Sequence, residues 1–122
     1  MLSIIIRDYS IKDFQDIVSI DREAFSPKNP TYDVYVYLTY GSDLLVADIG
    51  GKIVGYISIM EIGMEAKILS FAVKKEFRRR GIGNRLLDTA IRRCKEKGKI
   101  KIFLEVRVSN EAAQRLYKKK GI

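Results

Sequence analysis

Apolar residues fall into two rhythms along this chain, and each change of rhythm marks the boundary of an element. Leu2 to Arg7 is a β-rich apolar run that predicts an opening strand. Phe14, Ile17, Val18, Ile20 to Ala24 and Phe25 recur at roughly helical spacing and predict a helix over 11–25. Ser10 stands three residues before Asp13, as in a capping box with Asp in place of Glu or Gln. Pro27 and Pro30 are expected to end that helix, inside a projecting loop S-P-K-N-P-T. A second helix over 31–40 carries Tyr32, Tyr35, Tyr37 and Tyr40, with Val34 and Leu38 toward the core; its Val-Tyr alternation also suits a strand. The tyrosines can line a groove, although packing is the expected duty of at least half of them.

Leu44 to Ile49 and Lys52 to Glu61 read as strands joined across Gly50-Gly51, a hairpin signal. Gly55 inside the second predicts a bulge or a close backbone approach. After a turn at Gly63 to Glu65, Lys67 to Val73 reads as a central strand. From Gly83 to Lys97, Leu86, Leu87, Ala90, Ile91 and Cys94 mark one helical face, with Arg85, Asp88, Arg92, Arg93 and Glu96 on the other and Gly98 as the terminator. Ile100 to Val108 alternates as a strand, with Ile102, Leu104, Val106 and Val108 on one side and Phe103, Glu105 and Arg107 on the other. Ser109 or Asn110 then caps a last helix bearing Ala112, Ala113, Leu116 and Tyr117, ended by Gly121. The order β-α-α-β-β-β-α-β-α predicts an α+β fold: one domain over residues 1–122, with helices against a mixed, mostly antiparallel sheet.

Composition narrows the chemistry. The chain has no histidine and one cysteine, which argues against a zinc site, a Ser-His-Asp triad or an intrachain disulfide; proton transfer falls to Glu, Asp, Tyr, Lys or water. Cys94 lies on the apolar face of its helix and reads as a small core residue. No apolar run approaches a membrane span and no signal-peptide pattern opens the chain, so a cytoplasmic address and no membrane partner are expected. The net charge of +8 favours anionic partners: phosphorylated cofactors, ribosomal surfaces or nucleic acid.

One stretch concentrates that charge. Leu69 to Leu87 reads L-S-F-A-V-K-K-E-F-R-R-R-G-I-G-N-R-L-L, an apolar strand, a basic glycine turn and the start of an amphipathic helix. Unpaired N–H groups and the dipole at a helix N-terminus suit a diphosphate. Gly81 and Gly83 keep side chains out of the approach, and Arg78, Arg79 and Arg80 offer guanidinium forks to phosphate oxygens. The spacing is neither a Walker A loop nor a G-x-G-x-x-G fingerprint. A structural basic turn is the alternative reading.

The same residues resemble the acyl-CoA motif Q/R-x-x-G-x-G/A of the GCN5-related N-acetyltransferases, matched by Arg78, Gly81 and Gly83. Leu104 to Gly121, L-E-V-R-V-S-N-E-A-A-Q-R-L-Y-K-K-K-G, resembles a second signature, that of the N-terminal (Nα) protein acetyltransferases, including the bacterial ribosomal-protein enzymes. The resemblance implies an acyl-CoA N-acyltransferase fold and transfer of an acetyl group from acetyl-CoA to a primary amine. It implies cofactor contacts from Arg78, Arg79, Arg80, Gly81, Ile82, Gly83 and Asn84 at the turn, and from the backbone of Phe71, Ala72 and Val73, Asn110 and Tyr117 along the pantetheine arm. Glu105 matches the family's general base, acting through water, and Tyr117 its general acid. Read from the residues alone, Glu105 pairs with Arg107, Asn110 caps a helix and Tyr117 packs beside Leu116.

Acceptor contacts are implied near Phe25, Lys28 and Tyr32, where E-A-F-x-x-P resembles the bacterial ribosomal-protein type and Lys28 replaces the acid of the archaeal and eukaryotic pattern. Family members continue past this point with two further strands, whereas the sequence ends at Gly121-Ile122; either the domain is truncated at its C-terminus or a partner chain supplies those strands, and an unpaired sheet edge and self-association are expected. The expected partner is a protein or peptide N-terminus, with ribosomal association. Two rival readings stand beside it: an acetyltransferase of small-molecule amines, and a non-catalytic basic module binding RNA or the ribosome.

Overall fold

The computed structural model describes residues 3–26, 28–104, 115 and 117–121. Its elements are β1 (Ile4–Asp8), α1 (Phe14–Phe25), α2 (Pro30–Tyr40), β2 (Asp43–Ile49), β3 (Lys52–Ile62), β4 (Glu65–Val73), α3 (Ile82–Glu96) and β5 (Lys101–Leu104). The strands form one sheet in the order β1-β2-β3-β4-β5. All neighbours are antiparallel except β4 and β5, which run parallel from Glu65↔Lys101 to Ile68↔Leu104 because α3 carries the chain across between them. The β2–β3 hairpin turns on Gly50 and Gly51 at φ 59° and 94°, the two positive values a twisted two-residue turn needs.

Two bulges interrupt the ladders. Between β2 and β3 the register passes from Ala47↔Gly55 to Asp48↔Ile53, leaving Val54 as the extra residue. Gly55 is also closely approached: a Cβ built there would lie 3.1 Å from the Ala72 carbonyl oxygen and 3.1 Å from Leu86 Cδ1. Both readings of that glycine hold. The second bulge is in β4, where Ile59↔Ile68 is followed by Ser58↔Ser70 and Leu69 is extra. Its effect is a change of phase: Ala66 and Ile68 pack toward α3, then Phe71 and Val73 do, while Ala72 packs against α1 and α2.

The sheet is covered on both faces. Leu45, Ile57 and Ile59 of the strands meet Ile82, Leu86, Leu87, Ala90 and Cys94 of α3, and Val46, Ile53 and Tyr56 meet Ile17, Val18 and Ile20 of α1 and Val34 of α2. Burying each such aliphatic side chain contributes about 1.5–3 kcal/mol, so both faces are needed to offset the entropy of folding. Ion pairs rivet α3 to the strands: Lys97 Nζ meets Asp43 at 2.7 Å and Glu61 at 3.0 Å, and Arg93 meets Asp8 and Asp43.

Element ends differ in places from the sequence expectation. The first helix splits into a 3-10 turn over Ile11–Asp13 and then α1. Asp13 accepts the Ser10 N–H at 2.8 Å and the Arg7 guanidinium at 2.8 and 2.9 Å, which draws that turn tight. Pro30 opens α2 rather than closing α1, because proline suits a first helical position; Asn29 caps it, accepting the Tyr32 N–H at 3.0 Å. Val34 is buried and Leu38 packs beside it, but Tyr32, Tyr35 and Tyr40 are exposed, leaving Tyr37 as the inward-facing tyrosine. Gly98 ends α3 at φ 78°, and Cys94 is buried as expected. Pro27, the 105–108 half of the last predicted strand, Asn110 and the start of the last helix lie outside the described residues; Arg115, Tyr117, Lys118 and Lys119 are helical.

Candidate functional site

The basic turn and α3 build the first half of the site. Gly81 caps α3 at φ 78°, a conformation closed to most L side chains, and Arg79 just before it is also left-handed at φ 65°. A Cβ built on Gly81 meets nothing within 4 Å, so the space over the turn is open. The helix ladder begins with Arg85 N–H to the Gly81 carbonyl at 3.1 Å. The amides of Ile82, Gly83 and Asn84 precede that bond, have no intrahelical acceptor, and face the positive end of the helix dipole. The three arginines are exposed but not equivalent: Arg78 Nε donates to the Val73 carbonyl at 3.0 Å, and Arg80 sits 5.2 Å over the Phe77 ring.

Gly83 does a different job from Gly81. Its φ is not positive, and a Cβ there would lie 3.4 Å from Phe71 Cζ and 3.7 Å from Val73 Cγ2. Those are ordinary packing distances, so Gly83 differs from Gly81 in needing no left-handed backbone and in standing beside the end of β4.

The bulge at Leu69 sets the second half. It turns Phe71 toward α3, where the ring meets Tyr117 at 6.1 Å between centroids. Tyr117 is 8% exposed, and burial pushes its hydroxyl pKa up to about 12, so the proton stays on throughout the neutral range. Lys120, just past the helical Tyr117 to Lys119, ties this segment to α3 through an ion pair of 2.8 Å to Asp88. Ser70 to Val73 lie beyond the described β4–β5 register, which ends at Ile68↔Leu104. An open helix N-terminus, three exposed arginines and a strand end beside a protonated phenol fit a phosphorylated thioester such as acetyl-CoA: diphosphate at the turn, pantetheine arm along Phe71 to Val73.

On the opposite face, Phe25, Lys28 and Tyr32 stand exposed where α1 passes into α2. Glu105 and Asn110 lie outside the described residues. That face also holds a group the sequence reading passed over. Asp21 of α1 is fully buried and accepts hydroxyl hydrogen bonds on Oδ1 from Tyr56 at 2.7 Å and Tyr37 at 3.0 Å. Tyr56 in turn lies 2.7 Å from Ser70 Oγ on β4. Burial pushes the Asp21 carboxyl pKa up and holds the Tyr56 hydroxyl far above its ordinary value. The available signal was a carboxylate on the core stripe, four residues after Ile17 and three after Val18.

Residues 14–122 match the family model described as the acetyltransferase (GNAT) family. A Bacillus subtilis protein provisionally named a ribosomal protein bS18-alanine N-acetyltransferase is 35% identical over 120 residues, covering 96% of this chain and 79% of that one. An N-alpha-acetyltransferase of Sulfurisphaera tokodaii is 33% identical over 130 residues, covering 95% and 78%. Among solved structures, the Ard1 protein of Thermoplasma volcanium superimposes with a TM-score of 0.89 at 32% identity, covering 97% of this chain and 81% of that one.

Proposed function

Since this chain belongs to the GNAT family of acetyl-CoA-dependent N-acetyltransferases, we propose that its acceptor is the α-amino group of a protein N-terminus, with a ribosomal protein as the substrate type. The observation that carries this reading is the similarity, over nearly the whole chain, to two relatives whose names specify such acceptors. The exposed Phe25, Lys28 and Tyr32 support it, since a peptide needs an open surface where a small amine needs an enclosing pocket.

Acetyl-CoA supplies the activated acetyl thioester. The amides of Ile82, Gly83 and Asn84, with Arg78, Arg79 and Arg80, hold its diphosphate end; the backbone of Phe71, Ala72 and Val73 and the side chain of Asn110 align the arm. An acceptor must present a neutral amine. An α-amino group near pKa 8 is partly neutral at physiological pH, whereas a lysine near 10.4 costs about 3 kcal/mol more to deprotonate. Glu105 would take a proton from the acceptor nitrogen through water, and Tyr117, protonated because it is buried, would return one to the leaving sulfur. Phe25, Lys28 and Tyr32 contact the first acceptor residues, with Lys28 favouring an acidic one.

The test is transfer of labelled acetyl from acetyl-CoA to peptides carrying a free or a blocked α-amine, with polyamines and aminoglycosides alongside. Label confined to free α-amines is expected. Label on blocked peptides at lysine, or on the small amines alone, overturns the reading.

A further inference from the structure

The Tyr56 hydroxyl carries a single hydrogen, and the structure directs it to Asp21 Oδ1 at 2.7 Å. The 2.7 Å contact between Tyr56 and Ser70 is therefore donated by Ser70. Three groups on three elements form a chain of donors pointing one way, Ser70 on β4 to Tyr56 on β3 to Asp21 on α1. Its outer end is next to the Leu69 bulge and one residue before Phe71, where the proposed thioester arm begins. Its inner end is a fully buried carboxylate whose second oxygen, Oδ2, has no hydrogen-bond partner among the described residues.

Such a carboxylate is a poor structural choice. Groups facing Asp21 are Tyr37 and, at longer range, Asp33 from α2, and Tyr56 from β3; no cation is among the groups described as influencing it. An apolar side chain would fill the place without the cost of burying a charge. What the arrangement can do is take up a proton, since burial raises its affinity for one.

We propose that Ser70, Tyr56 and Asp21 form a proton relay that draws the first proton from the acceptor ammonium at the β4 bulge into the interior, leaving Glu105 the one that the nitrogen sheds as the amide forms. This rests on the amine-acetylating reading above. In the step, the ammonium N–H bond breaks as its proton passes to Ser70 Oγ, directly or through one water; the Ser70 proton moves to Tyr56 and the Tyr56 proton to Asp21. The ammonium and the Asp21 carboxylate become a neutral amine and a carboxylic acid, and both hydroxyls are regenerated. Asp21 acts through Tyr56 and Ser70 and never touches substrate. The proton leaves for solvent by the reverse route after turnover.

The experiment measures kcat/KM against pH with acetyl-CoA and a peptide bearing a free α-amine, for the wild type and for Asp21→Asn, Tyr56→Phe, Ser70→Ala and Tyr9→Phe. Thermal melting and acetyl-CoA affinity serve as checks of folding. Each variant that cuts the chain is expected to lose about 100-fold near neutral pH, within the ordinary worth of acid–base catalysis, and to recover as pH rises past the amine's own ionisation near 8. Tyr9→Phe, which removes a buried hydroxyl on the same face that has no hydrogen-bond partner among the described residues, is expected to stay within about threefold of wild type, as no link of the relay is lost. A wild-type pH profile in folded Tyr56→Phe and Ser70→Ala overturns the relay, as does a Tyr9→Phe loss equal to that of Tyr56→Phe, which would mark a packing role. An active wild type with those results sinks the relay alone. A wild type that acetylates no α-amine sinks the acceptor reading, and the relay with it.

Discussion

The two faces of the sheet solve the handling of charge in opposite ways. On the α3 face the interior is apolar apart from the Tyr117 phenol, and the remaining polar chemistry sits at its rim in backbone form, as the amides above Gly81. On the α1–α2 face a carboxylate and three hydroxyls lie inside, among Ile17, Ile20 and Val34. Backbone amides can hold an anion with almost any side chains nearby, provided a glycine allows the turn. A buried side-chain network has no such tolerance, because each member satisfies the next. The proposed cofactor side should therefore respond to charge and turn geometry, and the proposed acceptor side to the loss of single oxygen atoms.

The largest expected effect breaks the first half of that comparison. Gly81→Asp places a negative charge in the open space over the turn and should weaken acetyl-CoA binding at least about 100-fold, read by calorimetry. Gly81→Asn, which tolerates left-handed φ equally well, should lose no more than about tenfold; equal losses would show that backbone strain, not charge, is what the turn cannot bear. Next comes Tyr117→Phe, expected to lower turnover by about 10- to 100-fold with cofactor affinity nearly unchanged. Unchanged turnover would remove the phenol from the proposed chemistry and leave its contact with Phe71 as packing.

Two acidic residues sharpen the comparison further. Arg7 holds Asp13 below the usual carboxylate range, so Asp13 contributes stability that is present above the unfolded value near 3.9 and lost as pH falls through the folded one. Asp13→Asn should cost about 1.5–3 kcal/mol at pH 7, and less in acid. Asp21 has the opposite sign: burial raises its pKa, the unfolded chain releases its proton first, and the native state is penalised increasingly from about pH 3.9 up to the folded value. The stability of Asp21→Asn relative to wild type should therefore improve as pH rises. Urea unfolding between pH 3.5 and 7 reads both slopes, and parallel slopes would refute the contrast. Smallest is Arg80→Ala, which removes one exposed guanidinium from over Phe77 and should weaken acetyl-CoA binding by about threefold.

How much of this was legible follows from distance along the chain. The Gly50-Gly51 turn, the stripe of α3 and the cap at Gly81 are local, and their residues announce them. The Leu69 bulge is not legible, because β4 is covered on both faces and reads as an almost continuous apolar run in which one extra residue leaves no trace. Asp21 was hidden for another reason: its partners are 16 and 35 residues away, and only the folded sheet sets Tyr37 and Tyr56 above it. The early end of the first predicted helix turned on Arg7, whose grip on Asp13 depends on β1 being in place.

The pairs that fasten α3 to the strands have a thermal consequence. Arg93 and Lys97 together reach Asp8, Asp43 and Glu61, one acid from each of three successive strands. Hydration of charged groups becomes less favourable on heating, so the cost of stripping water from such a network shrinks as temperature climbs, while apolar burial gains little more per unit area. The helix that opens at the basic glycine turn is thus clamped at its far end by contacts that are comparatively stronger when hot, and that turn should keep its shape at temperatures where loops elsewhere have begun to open.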